Sequence, residues 1–213
     1  MLYAGSSGFS YPSWRPDFYP GTAKPAEFLR LYAERFDSVE LNTSSYRLPS
    51  QEQFERWAAQ VPDGFRFAVK MTKRITHFGR LDGLPTFCER VRALGDRLGP
   101  ILVQLPETRP RDDGFLRLLL DSLDPELAYA FEFRHPSWAE AEFGPKVNAL
   151  DGETPFRYLR LREPPYDEAQ LKALAAQIRA QTVQVYAYFK HEDEPTAPDY
   201  AARLAALVGR TAG

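Results

Sequence analysis

Residues 128–138, which read AYAFEFRHPSW, decide the fold because they lead a β-strand directly into a charged and aromatic loop. Side chains of a strand alternate between its two faces. One face of this stretch carries three aromatic rings, which suits packing beneath helices, and the other carries two alanines followed by Glu132 and Arg134. His135 and Trp138 follow at once. Small and then charged residues at the carboxyl end of a strand are typical of a pocket wall in an α/β protein.

Strand-like stretches recur along the chain, with a helical pattern between most of them. They lie at residues 2–5, 38–42, 66–70, 101–104, 128–134, 156–162 and 183–189. Because no two strands follow each other as a hairpin, the order predicts a parallel sheet with right-handed crossovers. A (β/α) barrel normally has eight strands and about 250 residues. We therefore predict a contracted TIM-like α/β barrel of about seven parallel strands, with one strand-helix unit shortened near residues 139–155. An open doubly wound sheet is the alternative.

Two further stretches carry specific predictions. Residues 72–81, TKRITHFGRL, indicate a long polar loop, and the apolar spacing that follows predicts a helix over residues 86–98. His191, in the acidic stretch KHEDE, is typical of a solvated loop.

The composition indicates one domain over residues 1–213, with 44% hydrophobic residues to form its core. The net charge is −2 and the pI is near 6.0, which counts against general nucleic-acid binding. The single Cys88 excludes an internal disulfide and a CxxC metal site. No stretch reaches membrane-spanning length, and the start MLYAGSSGF lacks the regions of a signal peptide, so we expect a cytoplasmic protein.

Several predicted strands end in polar residues whose neighbours of opposite parity are apolar. These residues are Glu40, Asn42, Lys70, Gln104, Glu132, Arg134 and Arg160. A charge facing the helices would be hard to solvate, so alternation predicts that they point inward at the carboxyl ends of the strands. His77, His135 and Trp138 lie on loops at the same rim.

Such a set of side chains favours acid-base chemistry on an anionic ligand. Arg134 and Arg160 can hold a phosphate or carboxylate bidentately. Glu40 and Glu132 can act as general acid and base if their environments separate their pKa values. Lys70 can neutralise developing charge or attack a carbonyl group.

Other interpretations of the same residues remain open. His77 or His135 can shuttle a proton, and both could join Glu40 and Glu132 around a divalent metal, although no HxH, HExxH or CxxC spacing supports a metal site. In a purely structural network, the pairs Glu40–Lys70 and Glu132–Arg160 would only hold the strands in register.

The order of the motifs resembles one known family. GSSGFSYPSW, VELNTSSYRLP, FAVKMTKRITH, LGPILVQLP, EFRHPSW, YLRLR and VYAYF occur in the order seen in the YecE-like family, domain of unknown function 72, and the resemblance covers roughly residues 2–208. It implies a TIM-barrel-like fold and a pocket, grouped by analogy near sugar isomerases, and no established reaction. Relatives usually carry a helix and another strand, often with an aspartate near its end, where this chain has only residues 139–155.

The family's polar positions, matched to this chain, complete the candidate site. They fall on Gly5, Ser7, Gly8, Glu40, Asn42, Tyr46, Lys70, His77, Gln104, Glu132, Arg134, His135, Trp138 and Arg160. We take as candidate catalytic residues Glu40, Lys70, Glu132 and His135. We take as candidate substrate-binding residues Ser7, Asn42, Tyr46, His77, Gln104, Arg134, Trp138 and Arg160.

The expected function is an enzyme that performs acid-base chemistry, isomerase-like or lyase-like, on a small anionic metabolite such as a sugar phosphate. We predict no cofactor, no resident metal and no membrane partner, and the sequence leaves the oligomeric state open. One alternative is a non-catalytic small-molecule-binding or interaction protein. Another, by fold analogy alone, is a metal-dependent nucleic-acid processing enzyme.

Overall fold

The protein is described by a computed structural model that covers residues 1–190 and 193–209. His191 lies outside the described residues. Within the described ranges, no helix combines the length and the apolar character needed to cross a bilayer.

Seven strands of the described chain form two parallel sheets, which confirms the predicted α/β class with parallel strands. The strands are β1 (Leu2–Ser6), β2 (Ser38–Leu41), β3 (Arg66–Lys70), β4 (Leu98–Leu105), β5 (Tyr129–Phe133), β6 (Phe156–Leu161) and β7 (Gln184–Phe189). One sheet has the order β1-β7-β6 and the other the order β2-β3-β4-β5, and every pairing is parallel. In the four-stranded sheet, strands that follow each other in the chain are neighbours and the order does not reverse.

Helices connect most of the strands and pack on the outer faces of the sheets. They are α1 (Phe28–Ala33), α2 (Gln51–Ala58), α3 (Lys73–Thr76), α4 (Leu84–Val91), α5 (Asp113–Ser122), α6 (Glu168–Arg179) and α7 (Thr196–Val208). Local sequence signals set several helix ends. Asp167 and Gln170 form a capping box at the start of α6, and Gly209, with φ 93°, ends α7 in the left-handed conformation.

The predicted connection between β3 and β4 is wrong in two places. The helix expected over residues 86–98 ends at Val91, and a 3-10 segment follows it until β4 begins at Leu98. Gly95 has φ 56°, which breaks the helical path, and Leu98 pairs with Phe67 of β3. The expected polar loop over residues 72–81 contains the short helix α3.

The segment between β5 and β6 hydrogen-bonds to both strands. On the β5 side, the Phe131 amide donates to the Pro145 carbonyl (2.8 Å) and the Val147 amide donates to the Phe131 carbonyl (2.9 Å). On the β6 side, the Asn148 amide donates to the Tyr158 carbonyl (2.9 Å). A few extended residues thus satisfy the facing edges of two strands from different sheets.

The two sheets also meet at the carboxyl ends of β1 and β2, where Ser7 and Glu40 form an isolated parallel bridge. The faces that the strands turn toward each other form their own apolar cluster. Its buried members are Tyr3, Ala68, Leu102, Ala130, Phe156, Tyr158, Tyr186 and Tyr188. The Tyr3 and Tyr186 rings stack with their centroids 5.0 Å apart. This inner cluster forms the floor beneath the polar residues at the strand ends.

The Asn148 side chain provides a test of the bridging segment. It accepts from the Arg160 amide (2.7 Å) and donates to the Arg160 carbonyl (3.3 Å). We expect Asn148→Ala to lower the free energy of unfolding by about 1–3 kcal/mol, because a β6 amide loses its partner. Urea unfolding measures this loss. Asn148→Asp, which keeps the acceptor, should lose less, and exposed Glu153→Ala is the control. Equal stability of Asn148→Ala and the control would contradict the bridging role.

Candidate functional site

The carboxylate of Glu40, near the end of β2, is fully buried and accepts five hydrogen bonds. Oε1 accepts from Ser7 Oγ (2.8 Å), Asn42 Nδ2 (3.0 Å) and Arg160 Nη2 (2.9 Å). Oε2 accepts from the Tyr158 hydroxyl (2.8 Å) and Arg160 Nε (2.9 Å). The pair with Arg160 is bidentate, and the neutral donors occupy the remaining acceptor positions.

Arg160 extends this network to a second carboxylate, on β5. Its Nη1 donates to Glu132 Oε2 (2.6 Å), which also accepts from Gln104 Nε2 (2.6 Å). Glu132 Oε1 accepts from Arg134 Nε (2.9 Å) and lies 3.7 Å from Arg162 Nη1. Glu132 is partly open to solvent, unlike Glu40. The network therefore runs from a buried end to an accessible one.

Strand register explains why these side chains meet. Gln104 and Glu132 are directly paired across β4 and β5, and Glu40 is paired with Ala68, two residues before Lys70. Because side chains alternate along each strand, the polar groups point to the same face as the inner apolar cluster and lie above it. We call this set the polar layer; it comprises Ser7, Glu40, Asn42, Lys70, Gln104, Glu132, Arg134 and Arg160.

The Glu40–Arg160 pair is ionised. Burial alone raises the pKa of Glu40, but the charge and hydrogen bonds of Arg160, with those of Tyr158 and Ser7, outweigh burial and hold the pKa below its ordinary value. Burial likewise lowers the pKa of Arg160, but the charges of Glu40 and Glu132 raise it above its ordinary value. Both groups therefore keep their charge at neutral pH.

Lys70 ends β3 within the polar layer, half-buried, and its amine has no hydrogen bond or salt bridge to the part of the chain that the structure describes. Burial and the charge of Arg160 lower its pKa to about 8, although Glu40 and Glu132 act in the opposite direction. An amine with this pKa exists in both protonation states near neutral pH. It can therefore hold an anion or transfer a proton.

His77 follows α3 on the loop after β3, and its Nδ1 lies 2.9 Å from Thr76 Oγ1. Burial lowers the pKa of His77, and nearby cationic side chains lower it further. Those cations are Lys73, Lys70, Arg134 and Arg109. The imidazole is therefore neutral at physiological pH and lies in a positive environment.

The polar layer carries a surplus of positive charge. Glu40 and Glu132 face three cations, Lys70, Arg134 and Arg160, and Arg160 binds both carboxylates. Burial amplifies this imbalance because a low-dielectric setting screens charge poorly. The arrangement favours a small anion at the carboxyl ends of the strands.

Besides His77, three candidate residues lie outside the polar layer. His135 Nδ1 accepts from Ser137 N (3.2 Å) and lies 2.8 Å from Ser137 Oγ, so it caps the turn after β5. The Trp138 side chain is only 2% exposed, and its Nε1 donates to the Arg109 carbonyl (2.9 Å). It plugs the loop and offers no open ring face to a ligand. Tyr46, in contrast to the buried Trp138, is 79% exposed.

The candidate list omitted Tyr158, which donates to Glu40, and the cations around His77. Tyr158 lies two residues before Arg160 in β6, so strand alternation places both side chains on the same face and provides a signal for Tyr158. Arg109 and Lys73 lie outside the strands, and no local pattern orients them. Among residues 1–190 and 193–209, no group of three or more His, Cys, Asp or Glu side chains is arranged to hold a metal ion.

Comparison with known proteins identifies the class. The family model described as protein of unknown function DUF72 matches residues 3–154. The chain belongs to this family, as its motifs predict.

Two curated relatives match part of the chain. The UPF0759 protein YecE of Escherichia coli (strain K12) is 38% identical over 143 residues, which cover 65% of this chain and 50% of that protein. The UPF0759 protein YunF of Bacillus subtilis (strain 168) is 24% identical over 156 residues, covering 67% and 54% respectively. The matched part of the chain thus spans about half the length of these relatives.

Solved structures of DUF72 family proteins match almost the whole chain. The Enterococcus faecalis protein EF0366 has a TM-score of 0.81 at 18% identity, with coverage of 99% of this chain and 96% of that one. The Thermotoga maritima protein TM1631 has a TM-score of 0.75 at 25% identity, with coverage of 98% and 97%. The fold of the family therefore extends past the end of the family-model match.

Arg160 provides a test of the network. We expect Arg160→Met to lower the free energy of unfolding by about 3–5 kcal/mol, because Glu40 would keep a buried charge without its partner. Adding Glu40→Gln should restore part of the loss. Arg162→Met is the matched control, expected to cost less than about 1 kcal/mol because this arginine is exposed. Equal urea midpoints for the two arginine variants would contradict the central role of Arg160.

Proposed function

We propose that the protein is an enzyme that binds a small anionic metabolite, such as a sugar phosphate, at the carboxyl ends of its strands and performs acid-base chemistry on it. The observation that carries this proposal is the amine of Lys70, which has no hydrogen bond or salt bridge to the described residues and lies in a layer with surplus positive charge. A phosphate or carboxylate there would provide a partner for its ammonium group. The proposed reaction is isomerase-like or lyase-like proton transfer in the cytoplasm.

The contacts support different roles for the two carboxylates. Both carboxylate oxygens of Glu40 accept hydrogen bonds, and the side chain has no access to solvent. We therefore propose that Glu40 positions Arg160 and does not transfer a proton. Glu132 is partly accessible and is the better candidate for a general base. Arg134, which is also partly accessible, would bind the anion.

The proposed site depends on the two sheets forming a single contracted barrel. Three features support this architecture. The strand order runs in one direction through both sheets, Ser7 and Glu40 bridge the sheets at β1 and β2, and residues 145–148 connect β5 with β6. The carboxyl ends of barrel strands are where enzymes of this architecture place their active sites.

Lys70→Met separates ligand binding from folding. We expect the variant to keep or raise the melting temperature, because Met avoids the cost of burying an ammonium group. A thermal-shift screen of sugar phosphates on the wild type first identifies a ligand that raises the melting temperature. Lys70→Met should lose the shift caused by that ligand. The wild-type shift should itself shrink as the pH rises through about 8, where Lys70 loses its proton. Exposed Lys172→Met is the control. A full ligand shift in Lys70→Met would refute the proposed anion site.

Glu132→Gln distinguishes an enzyme from a non-catalytic binding protein. Glutamine preserves the shape of the side chain but cannot accept a proton at neutral pH. We expect the variant to keep the ligand-induced thermal shift and to lose turnover, measured by NMR of the ligand after incubation. If the wild type binds the ligand and leaves it unchanged, the binding-protein alternative replaces the enzyme.

A further inference from the structure

We propose a second ligand site, outside the polar layer, that binds a planar aromatic ring carrying an anionic group, as in a mononucleotide. The site is a cleft of about 550 Å³ between the loop after β2 and the loop after β3. This volume lies within the range of small-molecule pockets. We call it the outer cleft; its lining includes Ser45, Tyr46, Lys73, Arg74 and Phe78.

Two exposed aromatic rings border the outer cleft. The exposed fraction is 79% for Tyr46 and 74% for Phe78. Among the described residues, only Met1 and Leu118 are other large hydrophobic side chains with such exposure, so both exposed aromatic ones lie at one cleft. Exposed rings at a common cleft are typical of a surface on which a flat ligand stacks.

The cleft also provides positive charge. Lys73 Nζ lies 4.1 Å from the centre of the Tyr46 ring and forms no salt bridge within the described part of the chain. Arg74 is already neutralised, since its Nη2 lies 2.9 Å from Asp82 Oδ2. One uncompensated cation beside an aromatic ring suits a ligand that combines a ring with a phosphate.

An unsatisfied hydroxyl lies in the wall of the outer cleft. Ser45 is 1% exposed, and its Oγ has no hydrogen-bond partner among the described residues. The neighbouring Ser44 is also buried, but its Oγ donates to the carbonyls of Leu41 (2.9 Å) and Lys70 (2.7 Å). Buried polar groups normally have partners. Because Ser45 Oγ is itself buried, the proposed contact requires the Ser45 side chain to rotate toward the cleft, where a ligand's polar edge would complete its bonding.

The charge of the chain favours a free mononucleotide over a nucleic acid. Polynucleotide binding relies on many phosphate contacts and a strongly basic surface, whereas this chain has a net charge of −2. The outer cleft provides Lys73, which has no salt bridge to the residues that the structure describes, and a volume that suits a single nucleotide. The base would stack on Tyr46 and Phe78, its polar edge would reach Ser45, and its phosphate would face Lys73.

Isothermal titration calorimetry with AMP tests the second site in the intact chain. In the Lys70→Met variant, in which the proposed anion site of the polar layer is lost, we expect AMP to bind more tightly than either adenosine or ribose 5-phosphate, each of which lacks one of the recognised groups. Tyr46→Ala and Phe78→Ala should each weaken AMP binding roughly tenfold, as removal of a stacking ring does. Both side chains are exposed, so the variants should fold. Tyr46→Phe should retain the affinity, and Ser45→Ala should weaken AMP binding without lowering stability.

The controls separate this site from the polar layer. Leu118→Ala removes another exposed apolar side chain and should leave AMP binding unchanged. Lys70→Met should also leave AMP binding at the outer cleft unchanged, because Lys70 lies in the polar layer. A failure of AMP binding would therefore refute the outer cleft as a site without bearing on the proposed function of the polar layer. The second site is refuted if wild type binds no AMP, or if AMP binding survives the loss of both rings. Tighter binding of a single-stranded oligonucleotide than of AMP would also overturn the mononucleotide assignment.

Discussion

The bidentate pair between Glu40 and Arg160 holds the two halves of this molecule together. Glu40 belongs to the four-stranded sheet and Arg160 to the three-stranded sheet, and their side chains meet above the inner tyrosines. A buried ion pair is stable only when further hydrogen bonds offset the loss of water around both charges. Ser7, Asn42 and Tyr158 provide those bonds for Glu40, and Glu132 occupies the remaining end of Arg160. The pair thus links the two sheets and lies at the centre of the polar layer, alongside the Ser7–Glu40 bridge and the segment over residues 145–148.

The same pairing determines the chemistry of Lys70. Arg160 engages both interior carboxylates, so Lys70 remains in the layer without a salt bridge to the described residues. Burial and the positive charge of Arg160 then lower the pKa of its amine to about 8. The planar fork of the Arg160 guanidinium binds both carboxylates, so neither of them pairs with the ammonium group of Lys70.

A short extended segment between β5 and β6 joins the edges of the two sheets. Residues 145–148 satisfy backbone groups on both strands, and Asn148 holds Arg160 by its main chain while Glu40 holds it by its side chain. Arg160 is therefore held by contacts to its main chain and by contacts to its side chain. The solved family members match the chain over nearly its full length, so they share this fold.

The sequence by itself determined the parallel α/β class, the approximate place of every strand, and the face on which Glu40, Lys70, Gln104, Glu132 and Arg160 lie. These properties follow from alternation along a single strand, which is a local rule. Only the tertiary structure decided which charges pair. The sequence offered Glu40–Lys70 as a pair, but Glu40 binds Arg160, which is 120 residues away along the chain. The tertiary structure also decided the orientation of two loop residues. His135 caps the turn after β5, and Trp138 is buried against the loop that contains Arg109. Pairing depends on distances across the interior between two sheets, and no local pattern contains those distances.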